Sequence, residues 1–239
     1  YDYTLGAPTA NVSPRAFLTG IAAGSLILSV GLPARAAEQK YAGDGMPNGL
    51  REDPKIFIAI AEDGTVTVLC HRSEMGQGVR TSWPLVVADE LDADWARMKV
   101  AQAQGDEPKF GNQDTDGSRS MRHHFMTLRR MGAAARQMLE QAAAQQWGVP
   151  VAEVEAVSHE IVHKGSDRKL GFGELAKAAS ELPVPPRDSL KLKDPAKFRY
   201  IGKGETPLID GFDITTGKAM YGIDAKMDGM VFAVVARPA

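Results

Sequence analysis

Val66-Thr-Val-Leu-Cys70-His-Arg-Ser-Glu-Met-Gly76-Gln-Gly78-Val-Arg-Thr-Ser-Trp-Pro84-Leu-Val-Val-Ala-Asp-Glu-Leu91 sets the architecture of this chain. It opens with alternation: Val66, Val68 and Cys70 fall on one face of a strand. It closes with Leu85, Val86, Ala88 and Leu91 at helical spacing, Pro84 being tolerable in a first turn. Between them, Glu74 to Gly78 reads as a glycine-containing loop joining a strand to a helix. Upstream, Ile56, Ile58 and Ile60 alternate in the same way and Glu62-Asp63-Gly64 is a turn, so Lys55 to His71 reads as a hairpin. Cys70 is in phase with the apolar face, the place of a packed thiol rather than a nucleophile.

Outward from this unit, Met98 to Ala103 is a further strand, followed by a polar loop from Gly105 to Ser120. A long helix is expected from near Met121 to Trp147, ending at Gly148 ahead of Pro150. Its small residues Gly132, Ala133, Ala134 and Ala135 permit close packing against a neighbour. Val151 to His163 returns to alternation, Gly165-Ser166-Asp167 is a turn, and a short helix starts at Gly173. The fold class is α+β: a mixed sheet with packed helices, plus the start of a second α/β domain. The first domain spans residues 55–181. A linker over 182–197, carrying Pro183, Pro185, Pro186 and Pro195, leads to a second unit over 198–239. Its apolar run from Met230 reads as a buried strand just beginning, as in a portion of a longer polypeptide.

Residues 42–54, rich in Gly, Pro and charge, are a linker. Before them, residues 1–41 hold an uncharged stretch, Ala16 to Leu32, preceded by Ser13-Pro14-Arg15 and followed by Ala34-Arg35-Ala36. That is the layout of an export signal kept as an anchor or arm. It is similar to a twin-arginine signal with Pro14 in place of the first arginine; an ordinary docked arm or buried core helix is the alternative.

Composition narrows the chemistry. The 239 residues carry 28 Lys and Arg against 30 Asp and Glu, a formal charge of −2. Hydrophobic content of 44% excludes a wholly disordered chain, and the near-neutral balance gives no footprint for nucleic acid. One cysteine excludes a disulfide scaffold, a four-cysteine zinc site and a self-contained iron–sulfur cluster. His159-Glu160-Ile161-Val162-His163 has the H-E-x-x-H spacing of zinc proteases, which works on a helix. Here it lies in an alternating segment, where the two histidines stand about 13 Å apart, too far to share an ion. His123 and His124 point to different faces of a helix start, as expected of local hydrogen bonding rather than metal ligation.

Two loops carry the functional signal. Gly76 and Gly78 let backbone approach a ligand, with N–H groups open to an anion such as pyrophosphate and Gln77 offering a donor and an acceptor. Thr115-Asp116-Gly117-Ser118-Arg119-Ser120 precedes the long helix and gathers hydroxyls and N–H groups at its start. Two such loops can clasp one elongated anionic cofactor; two ordinary capped helices are the alternative.

These motifs, in this order, resemble the molybdopterin-binding subunit of the xanthine oxidase family. The branch is the isoquinoline 1-oxidoreductase β-subunit type, together with the large subunit of bacterial membrane-bound aldehyde dehydrogenases. The resemblance rests on Glu74 to Thr81, on Ala88 to Leu91, on Gly117 to Ser120, on Leu128-Arg129 and on Gly132 to Ala135. Gly217 to Asp224 matches the family's following small, hammerhead-like domain. It implies that Gly76, Gln77, Gly78, Gly117, Ser118 and Ser120 bind molybdopterin cytosine dinucleotide. Asp116 departs from the family's Thr-Gly-Gly-Ser pattern and belongs near anionic groups only if it points away. The family's catalytic glutamate falls beyond Ala239, so no residue here is assigned as general base or as metal ligand.

The implied reaction oxidises an aldehyde to a carboxylic acid with water as oxygen source. Hydroxylation of an N-heterocycle such as isoquinoline is the alternative within the family, and a non-catalytic scaffold the alternative outside it. Electrons leave through a partner subunit's [2Fe–2S] clusters and a c-type cytochrome subunit carrying haem c. The implied location is the periplasmic side of the bacterial inner membrane.

Overall fold

A computed structural model describes residues 11–12, 26–27 and 54–237. The export-signal reading and the 42–54 linker lie outside the described residues, apart from Leu26–Ile27 and Pro54. A five-stranded sheet is built from β1 (Asn11–Val12), β2 (Leu26–Ile27), β3 (Ile58–Ile60), β4 (Val66–Cys70) and β5 (Met98–Gln102), in the order β1-β5-β4-β3-β2. β3 and β4 make the expected antiparallel hairpin, with Ile58 opposite Val68 and Ile60 opposite Val66. Its first residues differ from expectation: Pro54–Phe57 is a helical turn, α1, rather than strand. Proline suits the first position of a helix, and the turn swings Phe57 into the core.

β4 and β5 run parallel, Val68 facing Val100. Parallel neighbours need a crossover, and α2 (Val79–Leu91) is that crossover. The glycine loop therefore sits past the carboxyl end of β4, where open α/β sheets bind ligands. α2 starts five residues ahead of Pro84, so the proline is not in its first turn but interior to the helix. There it withholds the N–H that would bond the Arg80 carbonyl.

The polar loop contains two short helices, α3 (Glu107–Phe110) and α4 (Arg119–Arg122), before α5 (Phe125–Trp147). Gly148, at φ 66°, ends α5 in the left-handed conformation glycine favours. A three-stranded antiparallel meander follows: β6 (Val154–Val157), β7 (Glu160–His163) and β8 (Lys169–Gly171). It leads into α6 (Phe172–Glu181). Trp83, Leu91, Val100, Leu128 and Leu175 belong to one core shared by sheet and helices.

Buried acids on α2 fasten the chain that follows. The Asp89 carboxylate accepts from the N–H groups of Arg199, Tyr200 and Ile201 at 3.1, 3.1 and 2.9 Å. Glu90 accepts from the Lys193 N–H at 2.9 Å and pairs with Arg129. Farther on, the Ile209 N–H donates to Thr81 Oγ1 at 2.8 Å, ahead of α7 (Gly211–Thr215). The expected strand from Met230 does not form among the described residues, and Val231, Phe232 and Val234 are exposed. Apolar alternation yields a strand only beside a pairing partner, and none of the described residues runs alongside. Among the described residues no helix is long and apolar enough to cross a membrane.

Candidate functional site

Two loops meet past the ends of β4 and β5. The Ser73 N–H donates to Thr115 Oγ1 at 3.0 Å, and that hydroxyl donates to the Ser73 carbonyl at 3.2 Å. Gln113 adds a second clip, its Nε2 donating to the carbonyls of His71 at 3.2 Å and Gln104 at 2.9 Å. The structure thus brings Gly76, Gln77 and Gly78 to the same end of the sheet as Gly117 and Ser118.

The donors of the first loop are already engaged, which corrects the expectation of open N–H groups. Glu74 Oε1 accepts from the Gly76 and Gly78 N–H groups at 2.8 and 2.9 Å, and Oε2 from the Arg80 N–H at 3.1 Å. Gln77 Oε1 accepts from the Met75 N–H at 2.6 Å while its Nε2 donates to the Ser73 carbonyl at 2.9 Å. A carboxylate at a helix start gains charge-assisted bonds and a favourable dipole, so the loop supplies its own anion. Gly78 holds a φ of 83°, the left-handed conformation that favours glycine.

In the second loop Gly117 and Ser118 both hold positive φ, 46° and 56°. Ser118 is exposed, and its hydroxyl makes no hydrogen bond among the described residues. Asp116 pairs with Arg119, which balances the carboxylate. Ser120 is buried, its carbonyl accepting from Trp83 Nε1 at 3.3 Å. This loop does not open onto the long helix as expected. Ser118 precedes the four-residue α4, and His124 stands at the start of α5.

Beneath the loops lies a cluster that the sequence reading missed. His71 and Arg72 are each 1% exposed and His124 2%. Arg72 Nη2 donates to His124 Nε2 at 2.7 Å, so that imidazole is neutral with its proton on Nδ1. The partner of His124 is thus a distant residue rather than a local one. Arg72 Nε and Nη1 and both ring nitrogens of His71 lack a hydrogen bond of normal geometry. His71 packs on Trp83 with ring centroids 4.7 Å apart. Burial first, and the Arg72 cation second, push both histidines down to about 3; the Asn112 backbone opposes the shift at His71. The available signal was a basic pair wedged between an apolar strand end and a glycine turn. Cys70, next in line, is buried and its thiol is pushed up to about 12, the state of a packed and unreactive group.

The H-E-x-x-H segment is not helical, but the single alternating run expected from Val151 to His163 is split into β6 and β7, with His159 in the turn and His163 in β7. Ser158 and His159, at φ 48° and 77°, form the two-residue turn into β7. His159 Nδ1 accepts from the Asp94 N–H at 3.1 Å and its Nε2 donates to the Gly64 carbonyl at 2.7 Å. His163 bonds Ser166 Oγ at 2.8 Å and Glu153 at 3.1 Å. Each imidazole has its own partners.

A buried, under-bonded guanidinium beneath two clipped loops is a donor set that fits an anionic group. Residues 14–218 match the family model of the molybdopterin cofactor-binding domain. The chain belongs to that family. This molybdopterin-binding chain is 31% identical over 264 residues to isoquinoline 1-oxidoreductase subunit beta from Brevundimonas diminuta, covering 95% of this chain and 33% of the relative. It is 31% identical over 226 residues to membrane-bound aldehyde dehydrogenase (pyrroloquinoline-quinone) from Gluconacetobacter polyoxogenes, covering 93% and 29%. It therefore spans about a third of the length of these relatives. Quinoline 2-oxidoreductase from Pseudomonas putida 86 aligns with 54% of this chain and 17% of its own at 17% identity, with a TM-score of 0.43. The resemblance to xanthine oxidase-family subunits is borne out, and the family match spans both loops and the Arg72–His124 cluster.

Proposed function

We propose that this chain is the N-terminal part of the large subunit of a molybdenum hydroxylase that oxidises an aldehyde to its carboxylic acid. The observation that carries it is a family match running through two loops that Ser73 and Thr115 clip together over an under-bonded Arg72. When bound, the cofactor supplies the two-electron chemistry, with water as oxygen source. The chain's own part is to hold and orient. Gly76, Gln77, Gly78, Gly117, Ser118 and Ser120 are the residues assigned to molybdopterin cytosine dinucleotide. Gln77 engages it by giving up its bonds to Met75 and Ser73, and the Asp116–Arg119 pair keeps a bare carboxylate away from the anionic arm.

Partner subunits with [2Fe–2S] clusters and a c-type haem take the electrons, and the complex sits on the periplasmic face of the inner membrane. A second domain, hammerhead-like, starts near residue 198 after the 182–197 linker. An aldehyde is favoured by the relative named an aldehyde dehydrogenase; an N-heterocycle is the rival, after the relative named for isoquinoline. One observation favours a non-catalytic scaffold instead: Glu74 and Gln77 fill the donors of the first loop. Metal analysis of the intact complex decides the class. Stoichiometric molybdenum with acetaldehyde-dependent reduction of an artificial acceptor supports the proposal. Turnover of isoquinoline alone moves it to the rival substrate, and a folded complex without molybdenum establishes the scaffold.

A further inference from the structure

We propose that Arg72 is an anion-binding residue whose guanidinium, sealed beneath the Ser73–Gly78 and Thr115–Ser118 loops, receives a phosphate oxygen of the cofactor's dinucleotide arm. This rests on the molybdopterin reading above. The comparison that points to it lies within the same molecule. Arg129, 7% exposed, is bound as a structural arginine should be, by the Glu90 carboxylate and the Lys193 carbonyl. Arg72, 1% exposed, has neither kind of partner. Its one hydrogen bond goes to His124, a neutral base that does not balance its charge. A cation removed from water without a counter-charge is strongly unfavourable, and native proteins keep such groups where a ligand completes them.

The charges that act most on Arg72 belong to the second loop and the start of the helical turn after it: Asp114, Asp116 and Arg119. The two carboxylates attract the Arg72 cation, but neither hydrogen-bonds to it, and its Nε and Nη1 stay unbonded. Asp114 is bonded to Asn112 Nδ2 at 3.1 Å, and Asp116 is held by Arg119. Beside Arg72 the loops are joined by the Thr115 hydroxyl on Ser73 and by Gln113 on the His71 carbonyl, and Ser73, Gly76, Gln77, Gly117 and Ser118 are all exposed. Parting that junction would open a positive charge with two unbonded donors to an anion. The first-loop amides, already satisfied by Glu74, do not compete for it.

The test measures cofactor retention and the stability of the empty protein, in the intact large subunit. Arg72→Met is expected to retain below about a tenth of the wild-type molybdenum and pterin after desalting, the loss of one charge-assisted contact. Arg72→Lys falls between, retaining more at low salt than at high salt. Freed of cofactor, R72M melts at or above the wild-type temperature, because the deleted guanidinium left two buried donors without a partner there. R72M that keeps wild-type molybdenum overturns the proposal. So does empty R72M that melts well below wild type or fails to fold, since Arg72 is then structural. If wild-type protein holds no molybdenum, the molybdopterin reading fails and takes this proposal with it. If wild type and R72M are equally loaded, only the Arg72 assignment fails.

Discussion

At Glu74 one carboxylate takes the N–H groups of Gly76 in the loop, of Gly78 at the helix cap and of Arg80 in the first turn of α2. Helix starts leave such donors without intrahelical partners, and an acidic side chain in reach satisfies them more strongly than a neutral one. Glu74→Ala is therefore expected to destabilise the folded chain by about 1–2 kcal/mol, and Glu74→Gln by about half as much, since the amide keeps an acceptor but loses the charge. Urea denaturation of the three proteins checks this, and an unchanged midpoint for E74A would remove Glu74 as the cap. The loop was legible in the sequence, because an alternating strand followed by two glycines and a helical pattern leaves few alternatives. Its occupancy was not, because spacing does not say which acceptor wins an amide. The same holds for Arg72: its place beside the glycine turn is visible, but its unbonded Nε and Nη1 are a property of residues far away in sequence.

Helix against helix, the decisive position is Gly132 on α5. A Cβ added there would lie 2.8 Å from Glu90 Cβ and 3.0 Å from the Val87 carbonyl oxygen of α2. Neither neighbour can retreat. One is backbone, and the other belongs to a carboxylate gripped by Arg129 and by the Lys193 N–H. Two effects oppose each other in Gly132→Ala. Helix propensity favours alanine by about 1 kcal/mol, whereas overpacking a tight contact costs about 1–3 kcal/mol. With a contact this short the second wins, and G132A is expected to lose about 1–2 kcal/mol in chemical denaturation. A gain in stability would show that the two helices are free to separate. The close approach was readable from the small residues of α5, and the strand character of the H-E-x-x-H segment from its alternation. The start of α2 at Val79 follows from a loop that ends at Gly78, whereas Pro84, read as tolerable in a first turn, lies in the helix interior.

Across the whole molecule, the cluster under the loops ties stability to pH. His71 and His124 take up protons near pH 6.5 when the chain is unfolded, but only near 3 when folded. Unfolding between those values binds up to two protons at these sites, and His159, lowered by burial, adds to the same loss, so their contribution is complete above 6.5 and shrinks as the pH falls toward 3. Asp92 adds a loss at lower pH. Burial pushes its carboxyl up, but the Lys193 ammonium and the Ser158 N–H outweigh burial and hold it below the ordinary value of 3.8. Its contribution is present above 3.8 and disappears as the pH drops through the lower folded value. Glu140 works the other way, because burial raises its carboxyl and acid relieves the folded state. Between pH 6 and 4.5 the histidines dominate, each responsible for about 1.4 kcal/mol of lost stability per pH unit. His124→Gln keeps a neutral acceptor for Arg72 and deletes one titrating group. Urea midpoints measured across that range are expected to fall about one proton's worth less steeply for H124Q than for wild type. Parallel slopes would mean that His124 titrates normally in the folded protein, and the sealed floor beneath the two loops would then be open to water.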